Sequence, residues 1–329
     1  MKLATIYPTA GRSQSRDGQL VVVDEKARAA ALVPENEYPT LRSAIEDWQL
    51  AAPRLAEIGA ALLQGDWKET LDLDKATFMS PLPRAFGFLD GSAYLSHVRR
   101  VRKARGAEMP EELETIPLMY QGVSAPFLDP GSEITISDEA FGYDFEAELA
   151  VIVDDVPQGV KAADAEKHIK LILLLNDISL RNLIPAELAR GFGFLQSKPC
   201  SSCAPFALSP DELGPSWKEG RAEIEVRVNL NGSQVGKLRA SEMHFSFPQL
   251  IEHAARTRPL AAGTIIGSGT VSNEDKGRGI GCLVEKRLIE IIDSGAAKSN
   301  YLKVGDQITI EAFLGDKSLF GKIEQRCSL

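Results

Sequence analysis

The run Asp144-Phe145-Glu146-Ala147-Glu148-Leu149-Ala150-Val151-Ile152-Val153 constrains this chain more than any other segment, because it reads as a core strand that carries acids. Successive side chains of a strand point to opposite faces. Phe145, Ala147, Leu149, Val151 and Val153 therefore share one face, and Glu146 and Glu148 lie on the other. At about 3.3 Å of rise per residue, the two glutamates stand roughly 6.5 Å apart at Cα, close enough to converge on one ion. A third acid, Asp177, follows the apolar run 171–175 and Asn176, and Asp90 and a lone lysine, Lys198, complete an unusual set of charges. Ionised carboxylates beside apolar strands repel one another and resist desolvation, and a hard divalent cation relieves both costs.

Composition bounds what surrounds this feature. With 329 residues, 44% hydrophobic and 25% charged, the chain can bury a sizeable core, as one large domain or two unequal ones. A formal charge of -9 argues against nonspecific binding to nucleic acid or an anionic membrane. No stretch approaches the length of a membrane span, and the N-terminal residues lack the apolar segment of a signal peptide, so a cytoplasmic protein is expected. Cys200, Cys203, Cys282 and Cys327 are too few for a disulfide framework. Cys200-Ser201-Ser202-Cys203 lacks the second ligand pair or strand-to-helix setting that zinc or redox chemistry needs, so the cysteines read as small apolar residues.

Two regions of different character follow from the patterning. Residues 4–7 and 20–23 read as strands of a hairpin around the polar turn 12–18. Residues 43–63 show helical spacing through Ile45, Trp48, Ala52, Leu55, Ile58 and Leu62, with Pro53 expected to divide them into two helices. Pro81 and Pro83 mark a boundary, giving a small N-terminal α+β domain over 1–80 and a larger domain over 81–329. In the larger part strands dominate. Helices are expected near 164–169, capped by Asp164, and near 248–257, stopped before Pro259. Residues 222–230 alternate into Asn231-Gly232, a strong hairpin signal, and 307–313 and 320–323 add strands. The class expected is α+β, mostly β: an antiparallel, barrel-like or sandwich-like domain with a few peripheral helices.

Further chemistry gathers at residues 90–97. His97 has Asp90 upstream and a basic block, Arg99, Arg100, Arg102, Lys103 and Arg105, downstream, which is suited either to a solvated helix face or to an anionic carboxylate. Histidine is the natural general base near neutral pH. His168, His244 and His253 read as structural. The run Gly277-Arg278-Gly279-Ile280-Gly281 lacks the spacing of a dinucleotide fingerprint and reads as a mobile loop, either a lid or an ordinary solvent loop.

Residues 90–97, Pro117-Leu118-Met119-Tyr120-Gln121-Gly122, Asp144-Phe145-Glu146-Ala147-Glu148, Asn176-Asp177-Ile178-Ser179-Leu180-Arg181, Gln196-Ser197-Lys198 and Gly267-Ser268-Gly269-Thr270 together resemble, in chain order, the fumarylacetoacetate hydrolase family. The resemblance implies a mixed β-roll catalytic domain, an appended SH3-like N-terminal domain, a homodimer, and a magnesium or calcium ion. It implies that Asp90, Glu146, Glu148 and Asp177 ligate that ion, a shell of carboxylates that independently suits Mg2+ or Ca2+ better than zinc. It further implies that His97 activates water with Glu285 orienting it, that Lys198 and Arg181 stabilise the departing carbon acid, and that Tyr120, Thr270 and Arg105 contact substrate. The activity implied is hydrolysis of a carbon-carbon bond in a 1,3-diketo acid, with fumarylacetoacetate as the first candidate. Acylpyruvate or fumarylpyruvate hydrolysis and oxaloacetate decarboxylation are the alternatives. After Arg181 the chain departs from the animal enzymes: Asn182-Leu183-Ile184-Pro185-Ala186-Glu187-Leu188 replaces a glutamine and a tyrosine that touch substrate there, with Gln196 as a candidate substitute.

Overall fold

The structure is a computed structural model that describes every residue except 10, 12, 13, 105, 107 and 109. It is mixed α+β and mostly sheet. Eleven strands form one large sheet, in which ten run in the order Thr70–Asp72, Ala29–Leu32, Gln19–Asp24, Lys2–Ile6, Phe206–Leu208, Ile169–Asn176, Ala147–Val153, Thr264–Gly267, Gly87–Gly91 and Met119–Gln121. The eleventh, Ser202–Cys203, pairs with Ile169–Asn176. All neighbours are antiparallel except Thr264–Gly267 against Gly87–Gly91. A second sheet of five joins Ser233–Arg239, Glu225–Leu230, Gln307–Leu314, Lys317–Ser328 and Ile134–Thr135.

The central strand Ala147–Val153 is buried along its whole length. Phe145, Ala147, Leu149, Val151 and Val153 enter one core with Ile172 and Leu174, while Ala150 and Ile152 enter a second with Leu171, Leu173 and Leu175. Glu146 and Glu148 therefore share the parity of the second core, as period-2 alternation requires. The N-terminal strands are not separate from this sheet: Lys2–Ile6 pairs with Phe206–Leu208, so residues on both sides of position 80 share one hydrogen-bonded layer.

The expected hairpin pairs Lys2–Ile6 with Gln19–Asp24. Its turn includes positions 12 and 13, which lie outside the described residues. The helical stretch does divide, but at Asp47 rather than Pro53, giving Leu41–Glu46 and Trp48–Gln64. Pro53 sits inside the second helix, where its missing amide costs a single bond to Gln49 while Leu55, Ile58 and Leu62 bury their side chains and hold the helix together. The short helix Ala162–Ala165 starts before Asp164, which lies in its first turn and is not its cap. The later helix, Phe247–Ala254, is closed by a Ser246/Gln249 capping box. Asn231 and Gly232 both adopt positive φ between paired strands, as a two-residue hairpin turn demands.

The glycine-rich loop is packed against its neighbours over its second half, Gly279 to Gly281. Ile280 donates its amide to the Val235 carbonyl, and Gly281 accepts from the Ala147 amide at 2.9 Å. A Cβ on Gly279, whose φ is +81°, would stand 2.1 Å from the Val235 carbonyl oxygen, and one on Gly281 would stand 2.2 Å from that of Val271. The glycines are there because backbones meet closely, which pins the segment in place.

Candidate active site

Three strands and the residues that flank them deliver the acids. Asp90 lies on Gly87–Gly91, between Tyr120 and Gly267 on its neighbours. Its Oδ1 accepts the Gly269 amide at 3.0 Å, and a Cβ on Gly267 would stand 2.2 Å from that same oxygen, so glycine makes room for the carboxylate. Glu148 lies opposite Leu175, and Asp177 follows the end of Ile169–Asn176, its amide donating to the Glu146 carbonyl. Asp90, Glu146, Glu148 and Asp177 are all buried and can bring one oxygen each within 4.8 Å of the others.

Two cations enter this set. Lys198 Nζ donates to Glu146 at 2.7 Å and to Asp177 at 2.5 Å. Arg181 donates to Glu146 at 2.5 Å and to Asp144 at 2.8 Å. Asp177 also accepts from the Tyr120 hydroxyl at 2.6 Å and from Ser201 at 2.5 Å. Burial alone would raise the Glu146 carboxyl, yet Arg181 and Lys198 hold it well below the usual range. Burial would lower Lys198, and Asp177 and Glu146 keep it raised instead. For Asp90 the balance falls the other way: burial, with Asp177 adding, outweighs the pull of Lys198 and pushes it to about 8. Glu148 is driven well up by burial and by Asp90, and neither of its oxygens accepts a hydrogen bond among the described residues. Arg181 and Lys198 are taken up by Asp144, Glu146 and Asp177, and among the described residues Asp90 and Glu148 pair with no cation, which leaves those two carboxylates to be met by a divalent ion. The donor set and the orphaned Glu148 oxygens fit such a metal.

His97 lies on the helix Leu95–Ala104, and Glu285 in the first turn of Leu283–Ser294. These two residues and Cys282 each bring one ligand atom within 4.8 Å of the others. Glu285 is fully buried, where Arg100 and Ser272 both donate to its Oε1 and Ser96 donates to Ser272 at 2.7 Å. Burial lowers His97 against the opposing pull of Glu285 and Glu146. Asp144 ties the two halves together: it accepts the Leu283 and Val284 amides at 2.7 and 2.9 Å, at the start of the Glu285 helix, and also pairs with Arg181.

A cavity of about 770 Å³ joins Asp90, His97, Tyr120, Glu146, Arg181, Lys198 and Thr270 on one surface. Thr270 Oγ1 has no hydrogen-bond partner among the described residues. Asn182, Ile184, Pro185 and Leu188 line the wall where the sequence departs from the animal pattern, whereas Gln196 is absent from the lining and gives its amide to Glu187. Arg105 lies outside the described residues. Ser272, Asp144 and Ser201 were not legible as site residues; Arg100 was marked only as one of a basic block, and of that block's two readings it takes an anionic carboxylate, that of Glu285.

Residues 88–327 match the sequence profile described as fumarylacetoacetate (FAA) hydrolase C-terminal, and residues 1–84 match fumarylacetoacetase N-terminal domain 2. The chain belongs to the fumarylacetoacetate hydrolase family. Within that family, an uncharacterized protein of Pyrococcus horikoshii is 31% identical over 182 residues, 54% of this chain and 72% of the relative. The oxaloacetate tautomerase YisK of Bacillus subtilis is 28% identical over 188 residues, 57% of this chain and 58% of the relative. Among solved structures, maleylpyruvate hydrolase from Sphingobium sp. SYK-6 in complex with manganese(II) and pyruvate shares the fold, with a TM-score of 0.65 and 16% identity over 100% of this chain and 99% of that one. Among the described residues no helix is long and apolar enough to cross a membrane.

Proposed function

We propose that this family member is a metal-dependent hydrolase cleaving a carbon-carbon bond of a 1,3-diketo acid, with fumarylacetoacetate, yielding fumarate and acetoacetate, as the first candidate substrate. The observation that carries this reading is the meeting of His97, Lys198, Arg181, Asp90 and Glu146 on one cavity surface, with the buried Glu148 and Asp177 clustered with those two acids. In this reading Asp90, Glu146, Glu148 and Asp177 hold Mg2+ or Ca2+. The bound ion supplies Lewis acidity toward the diketone, worth several kcal/mol of charge stabilisation. His97 takes a proton from water, and Glu285, fixed by Arg100 and Ser272, orients the imidazole. The water oxygen becomes the new carboxyl of one product, and the carbon-carbon bond breaks toward the other. That fragment leaves as an enolate, which Lys198 and Arg181 stabilise until it is protonated. Tyr120 and Thr270 contact substrate. We place the enzyme in the cytoplasm as a homodimer, with residues 1–80 as an SH3-like domain and 81–329 as the β-roll that carries the chemistry.

A spectrophotometric screen of fumarylacetoacetate, fumarylpyruvate, acylpyruvates and oxaloacetate, each with Mg2+ and with chelator, tests the proposal. Turnover should require metal and place one solvent 18O in the new carboxylate. The similarity to an oxaloacetate tautomerase favours a second reading, keto-enol exchange of a 3-oxo acid. Deuterium entering oxaloacetate from solvent faster than in the uncatalysed exchange, with no cleavage of any diketo acid, would overturn the hydrolase and leave the tautomerase.

A further inference from the structure

We propose a second metal site in this protein, made by His97, Cys282 and Glu285, that takes a borderline-soft cation such as Zn2+. One ligand atom from each of the three lies within 4.8 Å of the others. Zinc bonds of about 2.0–2.3 Å would bring tetrahedral ligands to roughly 3.5 Å apart, so the ligand atoms have at most about 1.3 Å to close. The parts come from two helices. Cys282 is the N-cap of Leu283–Ser294 and Glu285 stands three residues on, while His97 faces them from Leu95–Ala104.

Each ligand has an atom to give. His97 Nδ1 is buried and has no hydrogen-bond partner among the described residues. Glu285 Oε1 is taken by Arg100 and Ser272, but Oε2 has only a 3.4 Å contact with the Gly281 amide. Arg100 and Arg181, the nearby cations, are engaged by Glu285 and by Asp144 and Glu146. Cys282 binds as thiolate, releasing its proton to solvent; Arg100 already offsets Glu285, so the thiolate is the one uncompensated negative charge, and metal binding works against the burial that holds the thiol well up. A mixed nitrogen, sulfur and oxygen set selects a metal different from the all-carboxylate cluster. Three protein ligands leave a fourth position for water. Occupancy would also consume the electron pair of His97, so Zn2+ inhibits turnover; that consequence rests on the reading of His97 as the base.

Co2+ added to the Mg2+-saturated protein separates the two claims. The wild type should develop a near-ultraviolet thiolate-to-cobalt charge-transfer band that saturates at one equivalent, which carboxylates cannot produce. Cys282→Ser, shown to be folded by its circular dichroism and melting, should lose the band, and its half-inhibitory Zn2+ concentration should rise by about tenfold or more. If Cys282→Ser does not fold, His97→Ala should keep a thiolate band but need at least about tenfold more Co2+. No band in the wild type, or a band undiminished in folded Cys282→Ser, would overturn the site. A Cys282-dependent band without zinc inhibition supports the site and overturns His97 as the base.

Discussion

At the scale of single residues, the proposal rests on His97 being a neutral base. Burial lowers its affinity for a proton below the ordinary 6.5, so the free base persists to lower pH than an exposed histidine would allow. The acid limb of kcat/KM against pH should therefore fall below 6.5, with turnover retained at mildly acidic pH. His97→Ala should cost about 10²- to 10⁴-fold in turnover and leave Mg2+ binding, followed by calorimetry, intact. Full activity in that variant would remove the histidine from the mechanism. Arg100 makes a complementary case: it donates to a fully buried Glu285, so Arg100→Met strands a charge and should destabilise the protein by about 3–5 kcal/mol in urea unfolding. The acids, His97, Lys198 and Arg181 were legible because charge in an apolar run, or a spacing shared with a family, marks them locally. Ser272 and Cys282 were not, because their partners lie on other elements and only packing brings them together.

At the scale of elements, alternation and turn chemistry carried the strands. The run from Asp144 to Val153 occupies the centre of the sheet and Asn231-Gly232 makes its hairpin, since each signal is complete within a few residues. Failures arose where tertiary contact decides. Pro53 is tolerated within Trp48–Gln64 because the apolar face is held by packing, and the second half of the glycine-rich loop, Gly279 to Gly281, is packed between Val235 and Val271. A lid and a clamp share one composition, and stability tells them apart. Gly279→Ala puts a Cβ 2.1 Å from a carbonyl oxygen at φ +81° and should cost about 2 kcal/mol or more, lowering the melting temperature by several degrees. Unchanged melting with altered turnover would restore the lid.

At the scale of the whole molecule, one sheet carries both the N-terminal strands and all four acids, on its strands or directly at their ends, so the charge cluster loads the core of the fold itself. In metal-stripped protein, Asp90 titrates near 8 and Glu148 well above its ordinary range, whereas both ionise near 4 when unfolded. Between those values the folded state binds more protons than the unfolded one, so these two groups take stability away as pH rises from about 4 to 8. A divalent ion reverses the balance, because it binds the ionised carboxylates of the folded state and displaces their protons. The rise in melting temperature on adding Mg2+ to chelator-treated protein should therefore grow between pH 5 and pH 8. Calorimetry at pH 7 in buffers of different ionisation enthalpy should show proton release on binding. Comparing melting with and without Mg2+ at each pH cancels every titration the ion does not touch. A shift independent of pH, with no proton released, would place the ion somewhere other than among these carboxylates.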